Sequence, residues 1–97
     1  MTSRTFNPGD PVKVSYTGYY ITGTFEDVED GTGWSLVRQE CGFDYDGSVQ
    51  SHNDFRSYDP KDRPLIPAAT EYVVHADEPL APGPFSPEWF ANARNHS

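Results

Sequence analysis

Hydrophobic and polar positions alternate most regularly in "PVKVSYTG", where Val12, Val14 and Tyr16 interleave with Lys13, Ser15 and Thr17. Side chains of an extended chain point to opposite faces in turn, so this period of two predicts a strand with one buried face. After Gly18 the alternation resumes in "YYITGTFED". Tyr19, Ile21, Gly23 and Phe25 fall on one side and Tyr20, Thr22, Thr24 and Glu26 on the other. A glycine inside such a run, here Gly23, predicts a bulge or bend where the sheet turns a corner. "EDVEDGTG" then supplies a turn in which Asp30, Gly31 and Gly33 reach positive φ cheaply. "WSLVRQEC" predicts a third strand of less regular pattern: Trp34 and Leu36 share one face, Val37 lies on the other, and Trp34 is expected to be largely buried.

From Gly42 to Pro64 the pattern fades. "DYDGSV" is compatible with a second hairpin tipped by Asp46 and Gly47, but "QSHNDFRSYDPKDRP" is polar, flanked by prolines and almost without aliphatics. A long polar loop is therefore expected over 42–64. A segment of that size inside a small domain is usually functional, which makes it a first place to seek an interaction surface; a tolerated surface insertion is the alternative. In "PLIPAATEYVVHADEP" the pattern returns as a short strand broken at Pro67 and a last strand "TEYVVHA", with Tyr72 and Val74 facing opposite to Val73 and His75. "EPLAPGPFSP" reads as an extended connector. "SPEWFANARN" then predicts a short helix capped by Ser86, with Pro87 in its first position, Glu88 in its first turn, and Trp89, Phe90 and Ala93 on one side. The organisation expected is one β domain over 1–78 and a connector with a helical arm over 79–97.

Composition narrows the function. Ninety-seven residues make at most one modest core, and an aromatic share of 14% implies that rings fill much of it. Fifteen acidic against seven basic residues give a net charge of −8. Such a chain is poorly suited to phosphate backbones or anionic membranes, so neither a nucleic acid nor a membrane is expected as primary ligand, whereas a protein with a basic surface is. Cys41 is the only cysteine, which excludes an intramolecular disulfide and a cysteine-rich zinc site and suits a reducing compartment. The opening "MTSRTFNPGD" lacks the apolar run of an export leader, and no stretch approaches the roughly 18 apolar residues of a membrane span, so a cytoplasmic location is expected.

The remaining polar residues form no catalytic or metal-binding pattern. His52, His75 and His96 occur in no zinc-site spacing, and "DYDG" places its glycine too early for a calcium loop. Neither a nucleophile elbow nor a phosphate-cradling glycine loop is present. A non-enzyme without catalytic residues, metal or cofactor is expected.

Taken together, "PGDPVKVSYTGYYITGTFEDVEDGTGWSLV" followed by "LIPAATEYVVHADEP" resembles the SH3-like small β-barrels of the KOW and Tudor type. The likeness lies in a Pro-Gly-Asp opening before strand one, a glycine joining it to strand two, an acidic glycine turn before strand three, and a short strand ending in proline before the last. It covers about three quarters of the chain, which departs from the pattern in its polar segment 44–63 and in its C-terminal extension. In style the sequence is similar to small acidic proteins of actinobacteria and their bacteriophages. The resemblance implies a mainly β fold, an SH3-like small barrel of about five short strands with a short C-terminal helix. It also implies a binding module. Tudor-type barrels hold methylated cations in aromatic cages, for which Tyr16, Tyr19, Tyr20, Phe25, Trp34, Phe43 and Tyr45 offer rings, although alternating aromatics in so small a barrel are foremost core.

The function expected is thus a non-enzymatic protein-binding module, in the form of a phage accessory protein that binds and modulates a host protein. Partner-binding residues are expected on the arm at Phe85, Trp89 and Phe90 and on the polar loop at Phe55, Arg56 and Tyr58, since aromatics and arginine are the usual interface anchors. Asp44, Asp46 and Asp54 would steer a basic partner. Two alternatives stand beside it: a structural protein, such as a virion connector or completion protein, that forms an oligomer; and an acidic mimic of nucleic acid.

Overall fold

The alternation that opens the chain is realised in strand β1 (Pro11–Tyr16), where Val12 and Val14 are fully buried and Lys13 is not. The computed structural model describes residues 5–80. Within them the chain forms five further strands, β2 (Tyr19–Val28), β3 (Ser35–Asp44), β4 (Val49–Asp54), β5 (Leu65–Ala68) and β6 (Val73–His75), with single 3-10 turns at Pro60–Asp62 and Thr70–Tyr72. All pairings are antiparallel. The order is β4-β3-β2-β1-β6, and β5 lies beside the first half of β3, on the same edge that β4 occupies beside the second half.

The inner face follows the predicted parity in β2, where Ile21, Gly23 and Phe25 are buried. Val12, Val14, Ile21, Phe25, Val37, Ala68 and Val73 form the core, joined by Phe6, whose ring stacks on Phe25 at 5.6 Å. Each large aliphatic or aromatic member contributes about 1.5–3 kcal/mol by leaving water. Half of the core is therefore valine, with two phenylalanines, while Tyr16 and Tyr19 pack against it from its margin.

Two bulges shape the sheet. Opposite Thr22 and Gly23 the register of β3 jumps from Cys41 to Gln39, leaving Glu40 unpaired by the ladder, and between Phe25 and Asp27 the extra residue is Glu26. The sequence places a bulge at Gly23, and the structure has it there. Closure of the ends follows from a length argument. In a flat sheet β5 and β6 would lie about 19 Å apart, four inter-strand spacings. They are joined only by residues 69–72, which include one 3-10 turn rising about 2 Å per residue. The sheet must therefore curl until its two ends meet across this turn. Among the described residues the hydrogen-bonded ladder itself remains open, because β5 and β6 do not pair.

Several expectations are corrected. Among the described residues there are six strands rather than about five, and the polar loop expected over 42–64 contains one of them, β4. "VQSHND" carries no apolar alternation because β4 is an edge strand with little buried side-chain surface, held by backbone pairing to β3. The hairpin tipped by Asp46 and Gly47 does form: Gly47 sits at φ 95° and its N–H donates to the Asp44 carbonyl at 2.8 Å. Trp34 is not buried but 45% exposed. It precedes β3, whose alternating buried positions Ser35, Val37, Gln39 and Cys41 run up to the buried Gly42, so Trp34 has the opposite parity to the core. Pro67 does not break its strand. It lies opposite Leu36 within β5, tolerated because β5 is an edge. Val73 and Val74, expected on opposite faces, are both buried. The expected C-terminal helix, with Phe85, Trp89 and Phe90, lies outside the described residues.

Candidate functional site

The exposed Trp34 marks a site assembled from three pieces of backbone. The end of β1 contributes Val14 and Tyr16, the lead into β3 contributes Trp34, and the end of β5 with the crossover to β6 contributes Pro67, Ala69 and Tyr72. Together they line an open groove of ≈ 200 Å³ whose walls are almost wholly apolar. Its aromatic members are held by specific bonds. Glu29 N–H donates to the Trp34 carbonyl at 2.7 Å and closes the β2–β3 hairpin, while the Thr32 hydroxyl accepts from Trp34 N–H at 3.1 Å. The Thr70 hydroxyl donates to the Gly33 carbonyl at 3.2 Å, which leaves the Ser35 hydroxyl to donate to Thr70 at 3.1 Å. The turn that carries Tyr72 is thereby tied to the loop that carries Trp34.

Tyr16 fixes the opposite wall. Its ring stacks on Tyr19 at 5.2 Å, and its carbonyl accepts from the Tyr45 hydroxyl at 2.9 Å. Burial, with a smaller contribution from Tyr19, pushes the Tyr16 phenol up to about 12, so it stays a neutral hydrogen-bonding group across the physiological range.

The other aromatics considered for a cage do not converge on one point. Tyr20 stacks on Phe43 at 5.3 Å and tilts against Tyr45 at 5.8 Å, whereas Phe25 is in the core against Phe6. Rings stacked on one another leave no gap for a cation. Among the described residues no group of three or more His, Cys, Asp or Glu side chains is placed to hold a metal ion. Cys41 is buried, and burial pushes its thiol up, away from the thiolate that nucleophilic chemistry needs.

The second cluster of expected site residues is brought together on the segment between β4 and β5. Phe55 and Tyr58 meet edge to face at 5.5 Å. Arg56 reaches back to Asp54 through Nε and Nη2 at 2.9 and 2.8 Å. The segment is anchored at both ends, where Phe55 N–H donates to the Glu40 carbonyl and Gln39 N–H to that of Pro64. Arg63 holds it from below: Nε and Nη2 donate to the carbonyls of Phe55 and Arg56 at 3.0 Å each, and Nη1 lies 3.6 Å from Glu40. Arg63→Ala should therefore loosen this segment by about 1–2 kcal/mol while leaving the core strands intact. Hydrogen exchange checks this: the Tyr58 amide, which donates to Phe55, should lose protection and that of Val14 should not.

The acidic residues expected to steer a partner have local duties. Asp44 accepts from Gln50 Nε2 at 2.6 Å, and Asp46 accepts from Ser48 N–H at 2.8 Å, both at the β3–β4 tip. Hydrogen bonds from the Arg56 side chain and backbone hold the Asp54 carboxyl down at about 2. The sign follows: the charged form is favoured in the fold, so the pairing contributes above the unfolded value of about 3.9 and is lost as pH falls through about 2. A carboxyl NMR titration should give Asp54 a midpoint near 2, rising toward the ordinary aspartate range in Arg56→Gln.

Of the residues sequence reasoning offered as partner-binding, the structure joins Asp54, Phe55, Arg56 and Tyr58 and leaves Asp44 and Asp46 at a separate tip. It adds the groove, whose Pro67, Ala69 and Tyr72 were not singled out as a site. The signal for them was the off-parity tryptophan at the end of a hairpin. Comparison of the chain with protein-family models, with curated proteins and with solved structures finds no match.

Proposed function

We propose that this chain is a protein-binding module that holds an extended polypeptide segment in the groove walled by Tyr16, Trp34, Pro67 and Tyr72. The observation that carries the proposal is Trp34, 45% exposed beside an apolar groove and fixed by hydrogen bonds on both sides of its own backbone. Leaving a large ring in water forgoes a stabilisation of about 1.5–3 kcal/mol, and rigid exposed tryptophans are the typical centre of a binding surface. Aromatic-lined grooves take extended segments because such a segment presents side chains at regular intervals with little entropy left to lose.

An SH3-like small barrel is the fold we propose for the described residues. The strand order β5-β3-β2-β1-β6, the bulge at Gly23 and the single 3-10 turn spanning the two sheet ends support it. The partner we infer is a protein rather than a nucleic acid, in keeping with the net charge of −8, and modulation of a host protein by a phage accessory factor is the form of function that this suits. No helix among the described residues is long and apolar enough to cross a membrane.

Affinity capture from a bacterial lysate tests the proposal with four forms of the full chain: wild type, Trp34→Ala/Tyr72→Ala, Phe55→Ala/Tyr58→Ala and Trp89→Ala/Phe90→Ala. The expected result is a discrete protein retained by the wild type and lost with the first variant. Capture that survives the first variant and fails with the second or third would move the site to the loop or to the arm and overturn the groove.

A further inference from the structure

The two turns that carry Trp34 and Tyr72 into the groove also carry acidic residues. Glu29 and Asp30 lie in the turn that leads into Trp34, and Asp30 is exposed. Glu29 and Trp34 are opposite members of the closing pair of that hairpin. Glu71 sits between Thr70, which is bonded to the Gly33 carbonyl, and Tyr72, which lines the groove, and it is exposed as well. The Thr70 bonds thus tie the turn that carries Glu71 to the hairpin that Glu29 and Trp34 close. Glu29 uses one oxygen to accept from the Thr32 hydroxyl at 2.7 Å, while among the described residues no basic side chain is paired with any of the three. The basic residues among those described are engaged elsewhere or lie on other faces: Arg38 with Glu26, Arg56 with Asp54, Lys61 with Asp59, Arg63 with Glu40, and Lys13 opposite Thr22 and Val74 within the sheet. None lines the groove.

An apolar trough whose two flanking turns, 29–34 and 70–72, carry three acidic residues is complementary to a particular kind of segment. We infer that the occupant is an extended peptide in which an apolar stretch is followed at one end by lysine or arginine, the apolar side chains lying between Tyr16, Trp34, Pro67 and Tyr72 and the cation at Glu29, Asp30 and Glu71. This rests on the groove being the binding site and adds which sequences it selects. The apolar contacts supply most of the affinity, whereas the carboxylates supply selection and orientation, because exposed charge pairs are individually weak and screened by salt. An acidic segment entering the same groove would meet repulsion from all three carboxylates, which excludes wrong partners.

Selection from a displayed library of random 12-residue peptides tests this, run on the full chain as wild type, as Trp34→Ala and as Glu29→Gln/Asp30→Asn/Glu71→Gln. Glutamine at 29 retains an acceptor for Thr32, and matching far-ultraviolet spectra and melting curves verify that both variants are folded. The wild type should enrich peptides with an apolar stretch flanked by Lys or Arg. The triple variant should enrich apolar peptides without the basic flank, and a peptide selected on the wild type should bind it at least about fivefold more weakly at low salt, with the difference shrinking at 0.5 M salt. Apolar peptides enriched by the wild type with no basic preference, or an equal preference in the triple variant, would overturn this inference and leave the groove standing. Enrichment that is indifferent to Trp34→Ala, or absent altogether, would overturn the groove itself.

Discussion

Gly23→Ala is expected to remove a large part of the stability of the domain. Gly23 lies inside β2 at the bulge, with its inward side against β3, and a methyl group there would overlap the Arg38 carbonyl oxygen and approach Val37 Cγ1 to 3.0 Å. The obstacle is backbone, which cannot rotate away as a side-chain end could. Relief requires β2 and β3 to separate at their most extensive pairing, whose register runs from Tyr19↔Asp44 to Val28↔Ser35. Overpacking of this sort costs about 3 kcal/mol or more, against a total of about 5–15 kcal/mol for a domain of ordinary stability. A fall in melting temperature of roughly 15 °C or more should follow, or loss of the cooperative transition altogether. Gly42→Ala is the informative comparison. Its added methyl would meet Asn53 Cβ at 2.7 Å, on an edge strand that can shift, so thermal melting should show a smaller loss.

The largest effect on binding is expected from Trp34→Ala/Tyr72→Ala. Both rings line the groove, and neither belongs to the core, which is built from Phe6, Val12, Val14, Ile21, Phe25, Val37, Ala68 and Val73. Truncating a central aromatic anchor typically costs 2 kcal/mol or more in affinity, so the pair should weaken a groove-bound peptide by about 100-fold or beyond. Stability should change by much less, since Trp34 already stands 45% in water. Titration calorimetry and thermal melting on the same samples separate the two effects. A variant that binds normally, or one that fails to bind because it has unfolded, would remove the support for a preformed groove.

The contrast between these two substitutions explains what could be read from the sequence. The β1–β2 ribbon was legible because one of its faces is buried and the other is not, so that Val12, Val14, Ile21 and Phe25 write their geometry into the order of residues. Gly23 was legible for the same reason, as a gap in an otherwise regular face. β4 was not, because an edge strand exposed on both sides imposes no hydrophobic period, and its pairing rests on backbone groups that every residue has. Trp34 was misjudged on residue type: tryptophan is usually well buried, but parity within β3 assigns the core to Ser35, Val37, Gln39 and Cys41. The groove escaped because it joins residues from 14 to 72, and only the curl of the sheet, forced by the short β5–β6 crossover, brings them together. The loop residues Phe55, Arg56 and Tyr58 stood out in the sequence as aromatics and an arginine in a polar stretch, yet the role of Arg63 in holding them required the geometry of its three contacts.

Binding of a partner segment in the groove at Trp34 is tested by an amide and indole NMR titration of the full chain with a peptide taken from the wild-type selection. The Trp34 indole and the amides of Tyr16, Ala69 and Tyr72 should shift together with one dissociation constant, while those of Phe55 and Tyr58 stay in place. Shifts confined to Phe55, Arg56 and Tyr58, or to residues beyond 80, would contradict it.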